Sequence, residues 1–174
     1  MRVMAALLDD RAETPPATKL LVVVTAANEL QATSARIELA KRSLPAHTKT
    51  IAVADPAGRR IGSGGGTLNA LKAAHDLLGD AWLDDRLILI IHSGGDSQRA
   101  PSQSVCGKAW SLLPTLPPNA PVDLLIEQLL KLCAGARGVV VACGDVLLKL
   151  PEEPGSLANQ GVTGLAVPAP KDYG

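Results

Sequence analysis

Two glycine-rich stretches carry the residues best suited to chemistry. The first is GSGGGT, Gly62 to Thr67, with Arg59 and Arg60 just upstream. Glycines let the backbone approach a ligand closely, and free amides at the start of a helix attract an anion. The second stretch, HSGGDSQRAPSQSVCGKAW, runs from His92 to Trp110. It pairs Gly94 with Gly95, then offers Ser97, one arginine at Arg99 and one lysine at Lys108. Arginine can grip a phosphate with two parallel hydrogen bonds, and lysine brings a compact charge on a reaching stem. Charge spread in this way stabilises a pentavalent phosphorus without any protein nucleophile. A third stretch, VVVACGDVLL, sets Asp145 where a buried apolar strand should end. A carboxylate there either shapes a turn or, beside phosphates, holds magnesium.

The same residues exclude several chemistries. A Walker A loop needs a lysine after its last glycine, and here Thr67 and Leu68 follow Gly66. The G-x-G-x-x-G dinucleotide fingerprint fails because Thr67 occupies its final glycine. No serine, histidine and aspartate group together, so a nucleophilic triad is not expected. His92 falls in a strand and reads as a core histidine or one supporting the site, and His75 reads as structural. Asn69 and Ser93 suit either a ligand or a local turn. Trp82 and Trp110 read as packing residues. Asp96 would repel phosphates unless it pairs with Arg99 or meets a metal.

The elements that must position these groups alternate in type. KLLVVVTAAN reads as a strand buried on both faces, and ELQATSARIELAKRSLP as a helix stopped by Pro45. TKTIAVADP is a second strand, followed by a helix that grows out of the first glycine cluster and ends at Gly79. DRLILIIHSGG is a third strand, APVDLLIEQLLKLCAGA an amphipathic helix, GVVVACGDVLL a fourth strand and GVTGLAVPAP a fifth. Strands alternating with helices imply βαβ crossovers and a mostly parallel sheet. Ligands bind beyond the carboxyl ends of such strands, so both glycine stretches and Asp145 are expected to share one cleft.

At 174 residues the chain can build one domain with a substantial core. Its 17 basic residues balance 17 acidic ones, which argues against general affinity for nucleic acid or membrane. Phe is absent and Tyr173 is the only Tyr, so no aromatic platform for stacking bases is available. Cys106, Cys133 and Cys143 have neither the number of a disulfide framework nor the spacing of a zinc site, and read as free thiols. The first apolar run, Met4 to Leu8, is too short for a signal peptide and ends in Asp9 and Asp10. No stretch approaches the roughly 18 apolar residues of a membrane span. A cytoplasmic location is expected.

Taken together, these stretches resemble the GDP-fucose pyrophosphorylase module of fucose-1-phosphate guanylyltransferases and bifunctional fucokinase/GDP-fucose pyrophosphorylases. DPAGRRIGSGGGTLNAL, HSGGDSQRAPSQSVCGKAW and VVVACGDVLL look like that family's landmarks in its order, and TAANELQA is similar too. The resemblance covers Lys19 to the end. It implies an α/β, Rossmann-like nucleotidyltransferase domain with a mostly parallel sheet over residues 19–174, truncated at its C-terminus, after a weakly ordered lead-in of residues 1–18. It implies transfer of a guanylyl group from GTP to L-fucose 1-phosphate, with magnesium as cofactor. Carried over, Gly94, Gly95 and Ser97 would cradle the triphosphate, and Arg99 would bind its outer phosphates. Lys108 would steady the α-phosphate, and Asp145 would hold Mg2+. Gly62, Gly64, Gly65, Gly66 and Thr67 would line the nucleotide or sugar-phosphate pocket. Two other readings follow from the same resemblance: the N-terminal part of a bifunctional L-fucokinase whose kinase domain is absent here, or a nucleotide-binding module without catalysis. The sequence departs from the wider nucleotidyltransferase signature, which usually follows the first strand and ends Pro-Lys. Here it follows the third strand and ends Gly107-Lys108.

Overall fold

The densest apolar runs of the chain become its strands, because only a strand covered on both sides can bury every side chain of such a run. In the computed structural model, which describes residues 19–57, 59–93, 101–103, 107–151, 157–158 and 160–166, β1 is Lys19–Ala26 and β3 is Arg86–His92. Seven successive residues of β1 and five of β3 are buried. β2, Lys49–Ala54, and β4, Gly138–Cys143, lie outside them. The four strands form one parallel sheet in the order β2-β1-β3-β4. The expectation of a parallel α/β sheet is met.

Among the described residues three α-helices cover the sheet: α1 (Glu29–Ala40), α2 (Gly62–Leu78) and α3 (Pro121–Leu132). The Asn28 side chain caps α1 by accepting from the Gln31 amide at 2.9 Å, which satisfies a donor with no helical partner. Gly79, at a φ of 77°, ends α2 where the sequence places its stop. One cluster joins Ala32, Ala35 and Leu39 of α1 and Val122, Leu125 and Leu129 of α3 to Val22, Val24, Leu89 and Ile91. The other sets Ala70 and Ala74 of α2 against Leu21, Val23, Ile88 and Ile90. Alternate residues of each central strand thus feed opposite layers. Alanines on α2 let it lie close to the sheet.

The edges differ from the sequence reading. VVVAC was expected to be buried, yet no residue of β4 is. Val139 and Val141 are 39% and 49% exposed, on the face where α2 packs over β1, β2 and β3. A continuous apolar run does not distinguish an edge strand from a central one. The stretch GVTGLAVPAP was read as a fifth strand; its described part, residues 161–166, is not a strand. The β2 edge is closed by side chains: Arg36 donates to the Ala52 carbonyl at 3.1 Å and Asn69 to the Ala54 carbonyl at 2.9 Å. They stand where a neighbouring strand would otherwise pair. The Asn69 amide nitrogen, weighed above as a ligand contact, is therefore engaged with the backbone.

Candidate functional site

The strand order fixes where a ligand can enter. The chain leaves β1 toward β2 on one side and comes back to β3 on the other. The connections at the carboxyl ends of β1 and β3 therefore diverge and open a crevice between them. A cavity of about 180 Å³ lies there. Thr25 from β1, Asp55 just after β2, His92 from β3, and Arg60, Gly62, Ser63 and Gly66 at the start of α2 line it.

The helix expected to grow out of the first glycine cluster already includes it. The cluster is the first turn of α2, which begins at Gly62 itself. Gly62 is the residue of the cluster with a left-handed backbone, at a φ of 69°. No side chain caps this helix start, so its amides are free to meet an anion. The glycines do different things. A Cβ on Gly64 would point into open space, whereas one on Gly65 would fall 2.8 Å from the Ile61 Cβ. Gly66 lies flat against His92, where a Cβ would be 3.4 Å from the ring Cε1. Gly62 and Gly66 line the cavity. Thr67 turns its hydroxyl to the Ser63 carbonyl and the His92 ring, each at 3.0 Å.

His92 stands between the layers. Its Nδ1 is 2.9 Å from the Thr25 hydroxyl, and its Nε2 faces Thr67. Burial pushes its pKa below the ordinary imidazole value, and the carboxylate of Asp55 pulls it back only in part. The ring is neutral at pH 7. This agrees with the reading of His92 as a residue that supports the site. His75 is half-exposed and edges onto Trp82, with centroids 6.1 Å apart.

The second half of the site gathers at the ends of β3 and β4. A short 3-10 helix, Lys108–Trp110, carries Lys108 outward while Ala109 and Trp110 are buried. Trp110 packs under the Arg42 guanidinium, whose carbon is 4.9 Å from the ring centre. Arg42 also donates to Asp123 at 2.9 Å, and the other oxygen of Asp123 accepts the Ala120 amide at 2.8 Å. One cation therefore ties α1, α3 and the Lys108 turn together. Gly144 closes the assembly. Its amide donates to the His92 carbonyl at 2.8 Å, and a Cβ there would meet Ala109 at 3.0 Å and that carbonyl at 3.1 Å. The absence of a side chain brings Asp145 beside Lys108, with Oδ2 and Nζ 3.6 Å apart. Neither residue lines the cavity at α2. Among the described residues His92 is common to both groups: its ring lines the cavity and its carbonyl accepts from Gly144.

Gly94, Gly95, Ser97 and Arg99 lie outside the described residues. The base of their segment is defined: Ser93 donates its amide to the Thr25 carbonyl at 3.2 Å, and a Cβ on Gly107 would lie 3.1 Å from the Ser93 hydroxyl. The chain leaves β3 and returns at one point. The sequence reading missed Thr25 and Asp55. Asp55 carried the same signal that singled out Asp145, a carboxylate just past an apolar strand.

Asp145 fits the donor chemistry of magnesium, which takes one or two carboxylates and completes its shell with phosphate oxygens and water. Its side chain is about half-exposed, and its ion pair with Lys108 is too long and too wet to hold it fast. Among the described residues no cluster of three His, Cys, Asp or Glu side chains could hold a metal by protein ligands alone.

Comparison with known proteins adds an independent line. The family model described as fucose pyrophosphorylase domain matches residues 80–174, more than half of the chain. The chain is 37% identical over 131 residues to the fucose-1-phosphate guanylyltransferase of Mus musculus, covering 72% of this chain and 22% of that protein. It is 36% identical over 134 residues to the Homo sapiens protein of the same name, covering 72% and 21%. It is 32% identical over 182 residues to the bifunctional fucokinase/GDP-fucose pyrophosphorylase of Arabidopsis thaliana, covering 82% and 17%. The chain spans about a fifth of the length of these curated relatives. No solved structure matches it.

Proposed function

The chain belongs to the fucose pyrophosphorylase family, and from that premise we propose that it forms the nucleotide-handling part of an enzyme making GDP-L-fucose and pyrophosphate from GTP and L-fucose 1-phosphate. A phosphate oxygen of the sugar phosphate attacks the α-phosphorus of GTP. The bond from that phosphorus to the oxygen bridging to the β-phosphorus breaks, and pyrophosphate leaves with the electron pair. Negative charge builds on the α-phosphoryl oxygens as this happens.

Each part of the site has a task in that reaction. Lys108 faces the growing charge, where a fixed cation is worth most. Arg99 would hold the outer phosphates, with Gly94, Gly95 and Ser97 wrapping them. Asp145 would hold magnesium, which when bound neutralises phosphate charge and orients the leaving group. The amides of Gly62 to Gly66 would take an anionic group of one substrate at the uncapped start of α2. Two described thiols, Cys133 and Cys143, are free, which suits the reducing cytoplasm. Among the described residues no helix is long and apolar enough to cross a membrane.

The observation that carries this reading is the family match over the two motifs that supply Lys108 and Asp145. The test is pyrophosphate release by the chain with GTP and magnesium. Release on addition of L-fucose 1-phosphate, and none without it, is the expected outcome. A chain that binds GTP without releasing pyrophosphate under any addition would be a binding module instead.

A further inference from the structure

His92 joins three elements at the crevice, and the direction of each bond can be worked out. The Thr67 hydroxyl has one hydrogen, and it is 3.0 Å from the Ser63 carbonyl, which can only accept. The 3.0 Å contact between Thr67 Oγ1 and His92 Nε2 is then satisfied only if Nε2 carries a hydrogen and donates. A neutral ring with Nε2–H leaves a lone pair on Nδ1, so the buried Thr25 hydroxyl donates to Nδ1 across 2.9 Å. The bonds run one way: Thr25 to His92, His92 to Thr67, Thr67 to Ser63. They start on β1, pass through β3 and end on the first turn of α2. Gly66 allows the ring this close.

We propose that His92 is a positioning residue: held as the Nε2–H tautomer between Thr25 and Thr67, it locks the amide-bearing first turn of α2 to the ends of β1 and β3. The functional half of this inference rests on the reading of that turn as part of the nucleotide site; the structural half does not. Protonating Nδ1 reverses the Thr25 bond, so the buried hydroxyl must turn its hydrogen away from the ring. It also places a cation beside the helix start, whose partial charge is positive. Asp55 and Arg60 are the charged groups that line the cavity with the ring among the described residues. Asp55 opposes the loss of the charged form while burial favours it, and burial prevails.

The sign follows from that lowered pKa. The unfolded chain takes up a proton near the ordinary value of 6.5, and the folded chain only at lower pH. The stability due to the lock is complete above 6.5 and is lost as pH falls from there through the folded value.

Nitrogen NMR of the imidazole in the 174-residue chain reads the tautomer directly. A ring protonated on Nε2 at pH 7, titrating below 6.5, is expected, and the amide signals of Gly64, Gly65 and Gly66 should shift with the same midpoint. An Nδ1–H ring, or one that titrates while those amides stay still, overturns the proposal. Thr67→Val should abolish the single tautomer and Thr67→Ser should keep it. For function, titration with magnesium GTP separates two variants. Glutamine reaches the Nε2 position and can still donate to Thr67, whereas asparagine reaches only the Nδ1 position. His92→Gln should hold affinity within about threefold, and His92→Asn should lose roughly tenfold, as partners that orient a binding group do. Equal affinities in the two variants would overturn the positioning role. If the tautomer and the coupled amide shifts are found but no variant and no parent chain binds GTP, the lock stands and the nucleotide reading of the turn falls.

Discussion

At the ends of β1 and β3, the first turn of α2 is held by hydrogen bonds around His92, and the proposed Nε2–H tautomer would give each of them one direction. At the ends of β3 and β4, Lys108 and Asp145 meet as charges 3.6 Å apart, with side chains 34% and 54% exposed. The first arrangement is specific in geometry and hard to exchange. The second is loose, and water screens it to about 0–1 kcal/mol. Groups that must trade partners during a reaction are better held the second way, because a strong internal pair would have to be broken before phosphate or metal could replace it. On the proposed reading, the α2 turn would be a fixed receptor and Lys108 and Asp145 would be groups in waiting.

The largest expected effect tests the charged half. Lys108→Ala should lower guanylyl transfer by roughly a hundredfold or more, as removal of one electrostatic donor to a transition state does. Thermal stability should hardly move, since the exposed ion pair contributes little. A pyrophosphate-release assay alongside a melting curve checks both, and a large loss of stability would make Lys108 a structural cation.

Gly144→Val asks whether close packing creates the pair. The new side chain would collide with Ala109 and with the His92 carbonyl. A cost of about 1–3 kcal/mol in chemical denaturation is expected, as for other overpacked positions. Because His92 bridges the two halves, its ring signals should shift as well. Unchanged ring signals would mean that the halves are independent.

Asp145→Asn keeps the shape and removes the charge. Activity should fall, with roughly tenfold more magnesium needed for half-maximal rate, the scale seen when one group that supports a metal is lost. An unchanged magnesium requirement would return Asp145 to a turn-forming role.

The smallest effect separates ligand space from packing in the other half. Gly64→Ala meets nothing among the described residues and should stabilise α2 by up to about 1 kcal/mol, through lost chain entropy in the unfolded state. If GTP occupies that open space, affinity should fall while stability rises. Gly65→Val is the poorer probe, because its side chain would strike Ile61 and disturb the helix start itself.

Much of the fold was legible. KLLVVVTA and RLILIIH contain long runs of bulky apolar residues, and their central place in the sheet follows from the need to bury both faces. Gly79 marked the end of α2 because an L side chain is strained at its positive φ. The apolar run of β4 misled for the same reason it signalled: hydrophobicity records what a strand can bury, not whether a helix lies over it. Val139 and Val141 show the difference. The glycine cluster itself belongs to the helix expected after it, since helix formers downstream extend their hydrogen bonding back through residues of low propensity.

By itself the sequence determined the types and order of Lys108, Asp145 and the glycines, and the family those motifs mark. Tertiary structure alone decided who stands beside whom. Thr25, His92 and Thr67 are 67 and 25 residues apart along the chain, and they meet because β1 and β3 are neighbours with α2 laid across them. Lys108 faces Asp145 because Gly144 admits no side chain between β4 and Ala109. Residue type sets what a group can donate, accept or bind. Distance in space depends on sheet order and packing, and no local pattern of residues encodes either one.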